Sequence, residues 1–191
     1  MIIENFPTDF LLGKYELKGV KNYGKKFMLT KQERMNSLIK KVSQELKVSE
    51  EELDFSEYSL NRITEWLKNH VSIRKLTKAE YELKKKNIPD YVEVLDWDFD
   101  RSTISNIIDV GTYLGEVMIQ SHKKENLNWT QFLGSRRFVN FGHMVIKLGK
   151  LEMNPINLTY VFCLKVVDGR DKEDGLLSIY KIWEECIEES V

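Results

Sequence analysis

Along much of the chain, apolar residues recur every three or four positions, the spacing that gives an α-helix one buried face. The first such helix is predicted to begin at Thr30, whose hydroxyl can cap the backbone while Glu33 reaches back three residues later. A second helix is predicted from about Ser56 to His70. The inward positions are Met35, Leu38, Ile39, Val42 and Leu46 in the first helix, and Leu60, Ile63, Leu67 and Val71 in the second. Because their connection is short, we expect the two helices to be antiparallel.

The most apolar of the periodic stretches predicts a central helix from Ile104 to roughly Lys124, started by Ser102 or Thr103. Gly111 and Gly115 lie four residues apart within it. Each glycine costs up to about 1 kcal/mol relative to alanine inside a helix. We therefore expect another part of the protein, a small sheet, to approach this helix too closely for larger side chains.

Two further helices are predicted, one on each side of the central helix in the sequence. Thr77 and Glu80 form another capping pair at the start of a lysine-rich helix, and Pro89 must end it because proline excludes its predecessor from the helical region. The last helix is predicted from about Asp174 to Glu188. Its apolar stripe consists of Leu176, Tyr180, Trp183 and Ile187.

From Asn128 onward, short apolar runs separated by glycines replace the helical spacing. The runs are Trp129 to Leu133, Phe138 to Phe141 and Met144 to Leu148, and their composition favours β-strands. They predict a small antiparallel sheet from about Trp129 to Met153.

Residues 154–168 carry conflicting signals. Several β-branched and aromatic residues in this stretch favour a strand. Asn154 before Pro155 is a good helix start, however, and Gly169 is a good helix stop. We expect a helix, with a strand as the open alternative.

Together these elements predict an α+β protein with a helical amino-terminal half, a small antiparallel β-meander and carboxyl-terminal helices packing back on it. Residues 1–29 are interpreted as an extended arm and residues 30–191 as a single domain. The arm carries several lysines among Tyr15, Tyr23 and Phe27, the only stretch that resembles a nucleic-acid-binding surface. Packing of these aromatic side chains on the body of the protein is the favoured interpretation.

Composition narrows the classes of partner. The 191 residues include 29 basic and 30 acidic ones, so no overall field attracts nucleic acid or anionic lipid. Glu4 and Pro7 stand where a secretory signal would be basic and then apolar, and no apolar run is long enough to span a membrane. Cys163 and Cys186 form no C-x-x-C pair. We expect a cytoplasmic protein with reduced thiols, whose partner is another protein rather than a membrane or a nucleic acid.

Few residues suggest catalysis. Asp96, Asp98 and Asp100 alternate like the start of a calcium-binding EF-hand loop, but Arg101 and Ile107 replace the glycine and glutamate that such a loop requires. A half-buried strand or turn with an acidic edge is the favoured interpretation. The glycine-rich motifs that bind nucleotides and the nucleophile motif G-x-S-x-G are absent. We therefore assign no catalytic residue, no metal ligand and no cofactor.

Several segments in a fixed order resemble an uncharacterised family of small bacterial proteins that has no established activity. The segments are Leu53-Asp54-Phe55-Ser56 with Ser59-Leu60, Tyr113-Leu114-Gly115-Glu116, Trp129, Asn154-Pro155, Asp168-Gly169 and Asp174 to Tyr180. The resemblance covers roughly residues 50 to 185. It implies an amphipathic helix after Asn154-Pro155, and it implies no mechanism. Some bacterial proteins of similar build act as immunity or accessory proteins beside toxins.

The function expected from these observations is that of a non-enzymatic interaction or accessory protein, with immunity-like protection as one concrete form. The candidate binding residues are Glu116, Trp129, Arg136, Arg137 and His143, because exposed aromatic and arginine side chains anchor interfaces well. Glu116 is expected to pair with Arg136, Arg137 or a backbone amide. The alternative function is a small metal-dependent hydrolase that uses Asp96, Asp98, Asp100 and Glu116.

Overall fold

The computed structural model describes residues 12–86, 93–171 and 175–190. Within these ranges, the helices are α1 (Leu17–Leu46), α2 (Glu57–Lys68), α3 (Lys78–Lys86), α4 (Arg101–Ser121), α5 (Pro155–Val167) and α6 (Gly175–Glu188). The strands are β1 (Ile73–Lys75), β2 (Trp97–Phe99), β3 (Asn128–Gln131), β4 (Met144–Leu148) and β5 (Leu151–Met153). This order of elements confirms the predicted α+β class. Whether residues 30–191 act as a single domain stays a prediction.

The strands form two small antiparallel sheets. β1 pairs with β2, and β3, β4 and β5 form a meander in which Trp129 is opposite Ile146, and Ile146 is opposite Met153. The meander confirms the predicted sheet, but the strand predicted over 138–141 is wrong. Those residues form turns instead, in which the Phe138 N–H donates to the Ser135 carbonyl. The third strand of the meander is instead β5, which follows β4 in the chain and pairs with it.

The amino-terminal helix is longer than its sequence pattern indicated. The extended arm predicted for residues 1–29 is wrong over 17–29, which belong to α1, while residues 1–11 lie outside the described residues. Val20, Gly24 and Phe27 are buried at helical spacing and continue the stripe of Met35, Leu38 and Val42. The Thr30 hydroxyl donates to the Lys26 carbonyl inside the helix, so it is not a cap.

The central helix α4 packs against α1, α2, α5 and α6. It begins at Arg101, three residues before the predicted Ile104, because the cap is Asp100, whose carboxylate accepts the Thr103 N–H at 2.7 Å. A Cβ atom on Gly111 would lie 2.6 Å from the Ile156 Cα, and one on Gly115 would lie 2.2 Å from the Trp129 ring. The predicted close approach is therefore confirmed, although the sheet contacts only Gly115 and α5 contacts Gly111.

Residues 155–167 form a helix, which decides between the two conflicting signals. The Asn154 side chain accepts the Asn157 N–H at 3.0 Å, and Pro155 occupies the first turn. Ile156, Thr159, Phe162 and Cys163 are buried at helical spacing against the rest of the core. Burial of this face outweighs the β-propensity of the individual residues, as tertiary packing commonly does.

Candidate functional site

Glu116 lies where α1, α4 and the sheet meet. Its Oε1 atom accepts a hydrogen bond from the Trp129 indole Nε1 at 2.8 Å and another from the Lys31 ammonium. The expected pairing of Glu116 with Arg136 or Arg137 is therefore wrong.

The Glu116 carboxylate provides the counter-charge for Lys31, a lysine on the inward face of α1. The buried stripe of α1 runs at three- and four-residue steps through Phe27 and Met35, and Lys31 takes the step between them. Its side chain is only 20% exposed. Because a charge removed from water needs a partner, Glu116 neutralises an inward-facing lysine. The sequence analysis missed Lys31, because the inward stripe of the helix predicted from Thr30 was taken to begin only at Met35.

The remaining predicted binding residues do not join this group in one face. Arg136 donates to the carbonyls of Gly13 and Tyr15, each at 3.2 Å, and its guanidinium lies over the Phe141 ring. Arg137 is exposed, whereas His143 is 2% exposed. Trp129 is 8% exposed. The structure thus brings Glu116 and Trp129 together, leaves Arg137 exposed and buries His143. Binding by these residues stays a prediction.

An open cavity of about 590 Å³ lies beside this group, between α1 and the strands β3 and β4. We call it the α1 cleft. Its lining includes Lys21, Lys25, Met28 and Leu29 from α1, and Trp129 and Met144 from the sheet. Met28 is 49% exposed and Leu29 is 84% exposed, so large apolar side chains stand in solvent at its edge. Such an exposed apolar surface with a polar rim is typical of a binding site.

Gly24 and Gln131 fix the distance between the two walls of the α1 cleft. The Gln131 side-chain amide donates to the Val20 carbonyl at 2.7 Å and to the Gly142 carbonyl at 2.9 Å. A Cβ atom on Gly24 would lie 2.5 Å from this amide group. The glycine therefore allows β3 to hold the amino-terminal half of α1.

Charge is distributed unevenly along α1. Between Glu16 and Glu33 the sequence contains five lysines and no acidic residue, although the whole chain has a net charge of −1. Lys18, Lys21, Lys25 and Lys26 are exposed. The α1 cleft consequently has a positive rim.

A second ionic contact joins α1 to α4. The Arg34 guanidinium pairs with the Asp109 carboxylate, and both side chains are largely buried. Burial raises the pKa of Asp109 to about 6, and the positive charge of Arg34 opposes that rise. The two helices therefore meet through charged pairs as well as through apolar contacts.

The acidic triplet does not form a site with Glu116. Asp98 pairs with Lys84 at 2.8 Å, and Asp100 caps α4. Trp97 is half-buried and Phe99 is buried in β2, which confirms the predicted half-buried strand. Among residues 12–86, 93–171 and 175–190, no three His, Cys, Asp or Glu side chains are grouped as metal binding requires. The hydrolase alternative therefore receives no support from this arrangement.

Two of the segments that carry the family resemblance, over 53–60 and 113–116, contact each other at α4. The Tyr113 hydroxyl lies 2.7 Å from the Ser59 Oγ and accepts the Phe55 N–H at 3.0 Å. The Phe55 ring stacks on Tyr113, and Phe55 has a left-handed backbone with φ of 63°. These two segments thus have a role in packing and in shaping the turn before α2.

The two cysteines differ in their surroundings. Cys163 is fully buried, and burial raises the pKa of its thiol to about 12. Cys186 on α6 is half-buried, and both thiols are free. A thiol that stays protonated is a poor nucleophile, so Cys163 is chemically inert at neutral pH.

No protein-family model matches this chain, and searches of curated proteins and of solved structures find no similar protein. The family resemblance therefore stays a prediction. Over the part of the chain that the structure describes, no helix combines the length and apolar content that crossing a bilayer requires.

Proposed function

We propose that this chain is a non-enzymatic interaction protein of the cytoplasm and that the α1 cleft receives an apolar side chain from another protein. The observation that carries the proposal is the exposure of Met28 and Leu29 beside an open cavity floored by Trp129 and Met144. Apolar anchors that fill such a cavity supply much of the energy of protein interfaces. The immunity-like form, in which the partner is a toxin, is the concrete version that we favour.

Site-specific photocrosslinking in the native cell tests this proposal. A photoreactive amino acid at position 29 faces the cleft, while the same residue at position 182 is a control, because Ile182 is also exposed, at 59%, but lies on α6. We expect a discrete adduct with one protein from position 29 and no such adduct from position 182. An absence of adducts from position 29, or identical adducts from both positions, contradicts the proposal.

The captured protein must then bind in isolation. Met28→Asp places a charge at the cleft edge, and we expect it to weaken binding of the purified partner at least about tenfold, whereas Ile182→Asp leaves binding unchanged. In the immunity-like form, co-expression of the chain relieves the toxicity of the captured protein, and Met28→Asp abolishes that relief. Equal binding by Met28→Asp and the unmodified chain would overturn the assignment of the cleft.

A further inference from the structure

We infer that the segment entering the α1 cleft is acidic as well as apolar. This inference rests on the proposed function, and it specifies the chemistry of the partner. Its first support is the lysine row of α1, which we define as Lys18, Lys21, Lys25 and Lys26. All four side chains are exposed, and Lys21 and Lys25 also line the cleft.

The lysine row has no neutralising acid within its own helix. The nearest acidic residues along the chain are Glu16 and Glu33, at either side of the lysine-containing stretch. Lys31, the fifth lysine of this stretch, is neutralised by Glu116, and the exposed lysines contrast with it. Clustered like charges at a rim raise the local potential and favour a partner of opposite sign.

The apolar residues of the cleft favour binding of a protein segment over binding of a nucleic acid. Stacking of bases in the cleft would require exposed aromatic rings on its walls, but Phe27 is buried and Tyr23 is half-buried against it. Tyr15 is 44% exposed, but it is not among the residues that line the cleft. The exposed apolar side chains that line the cleft beside the lysines are those of Met28 and Leu29. In a segment that carries carboxylates and a leucine or phenylalanine, the carboxylates can pair with the lysines of the rim. The apolar side chain can pack on the floor of the cleft.

A second copy of this chain fits the cleft less well. The acidic end of α6, at Glu184, Glu185 and Glu188, has the required charge. Glu184, however, already accepts a hydrogen bond from Lys181 of its own molecule. Leu176, Tyr180 and Ile187 are buried in the core, so Ile182 is the one exposed apolar side chain that this helix offers over the described residues 175–188. A different protein is therefore the favoured partner.

Peptide binding tests the inference directly. The probe is a fluorescent 15-residue peptide that carries glutamates around two leucines, compared with the same peptide in which glutamine replaces every glutamate. We expect the glutamate peptide to bind at least about tenfold more tightly at low salt, and its advantage to shrink as salt screens the rim charges. Equal affinity of the two peptides overturns the inference.

Charge reversal in the chain provides the matched comparison. Lys21→Glu with Lys25→Glu changes the cleft rim, while Lys40→Glu with Lys85→Glu makes the same change of net charge at other exposed positions. The first pair should weaken the glutamate peptide about tenfold or more, and the second pair should leave it nearly unchanged. Thermal unfolding of both variants shows whether they remain folded. Equal effects of the two pairs on peptide binding would contradict a specific role of the cleft lysines.

Three other results would each replace the inference. Tighter binding of anionic lipid vesicles than of the peptide would assign the lysine row to a membrane surface, and tighter binding of duplex or single-stranded oligonucleotides would assign it to nucleic acid. Self-association of the chain that is lost in the Lys21 and Lys25 variant would identify a second copy as the occupant. If crosslinking at position 29 captures a partner whose affinity is unaffected by the lysine substitutions, the proposed function stands and the acidic partner does not.

Discussion

Glycines lie both in the central helix α4 and in the amino-terminal half of α1, and one of the α1 glycines, Gly19, has surroundings opposite to those of the glycines in α4. Space for a side chain at Gly111 or Gly115 is already filled by Ile156 or Trp129, whereas a Cβ atom on Gly19 would meet nothing within 4 Å. α4 is thus surrounded by packed neighbours, while α1 has a face in solvent beside its cleft. The comparison suggests that α4 holds the fold together and that the outer face of α1 is available for binding.

The largest expected effect comes from adding a methyl group to these glycines. Gly111→Ala should lower the free energy of unfolding by roughly 3 kcal/mol, because the new Cβ meets the backbone of α5 and overpacking is not easily relieved. Gly19→Ala should instead raise it by up to about 1 kcal/mol, since alanine is the better helix former. Urea unfolding of both variants measures the difference. A stabilising Gly111→Ala would show that α4 and α5 are less tightly packed than the structure indicates.

The next effect concerns the ionic contact between the two helices at Glu116. Glu116→Gln should destabilise the protein by about 1–3 kcal/mol, because Lys31 then lies in a largely buried position without its counter-charge. Lys31→Met combined with Glu116→Gln should recover much of this loss, since an apolar side chain suits the inward stripe. Additive effects of the two substitutions in unfolding experiments would contradict the pairing.

A smaller and pH-dependent effect is expected at Asp109. Its pKa in the folded protein, about 6, is above its ordinary value of 3.8, so the folded state binds the proton more tightly than the unfolded state does. The contribution of Asp109 to stability is therefore present at acidic pH and is lost as pH rises through 6. Between pH 5 and 7.5 this loss is roughly 1 kcal/mol relative to Asp109→Asn. Parallel stability profiles of the two proteins over that range would count against the shift.

The smallest effect on stability is expected at the cleft edge. Leu29→Ala removes a side chain that is already in solvent, so the free energy of unfolding should change by less than about 0.5 kcal/mol. The same substitution should weaken partner binding, which separates binding from folding. A large loss of thermal stability in this variant would show that Leu29 supports the fold instead.

Much of the fold could be predicted because its strongest signals are local. α2 and α6 have continuous apolar stripes, and Gly111 and Gly115 correctly indicated a close contact. α5 was indicated by its end signals, Asn154-Pro155 and Gly169, although its composition favours a strand. The start of α1 was missed because Lys31 and Gly24 interrupt its apolar stripe. The structure explains both residues, since Lys31 pairs with Glu116 and Gly24 leaves room for the Gln131 side chain. Such long-range partners leave little trace in a single sequence.

The candidate site was less predictable than the fold for the same reason. Proximity of Trp129 to Glu116 was anticipated, but the lysines of the arm could not be placed on a cleft wall while the arm was interpreted as extended. The pairing of β1 with β2 also joins residues far apart in sequence. Pairing of strands so far apart in the sequence depends on how the rest of the chain folds. It could therefore not be derived from the local spacing of apolar residues.

The contrast between the two thiols makes the native chain convenient for spectroscopy. Cys163 is enclosed and stays protonated, so a maleimide dye should attach selectively at Cys186 without any engineered substitution. α6 is not among the elements that line the α1 cleft. A single fluorophore there could report tumbling and complex formation while leaving the binding surface unmodified.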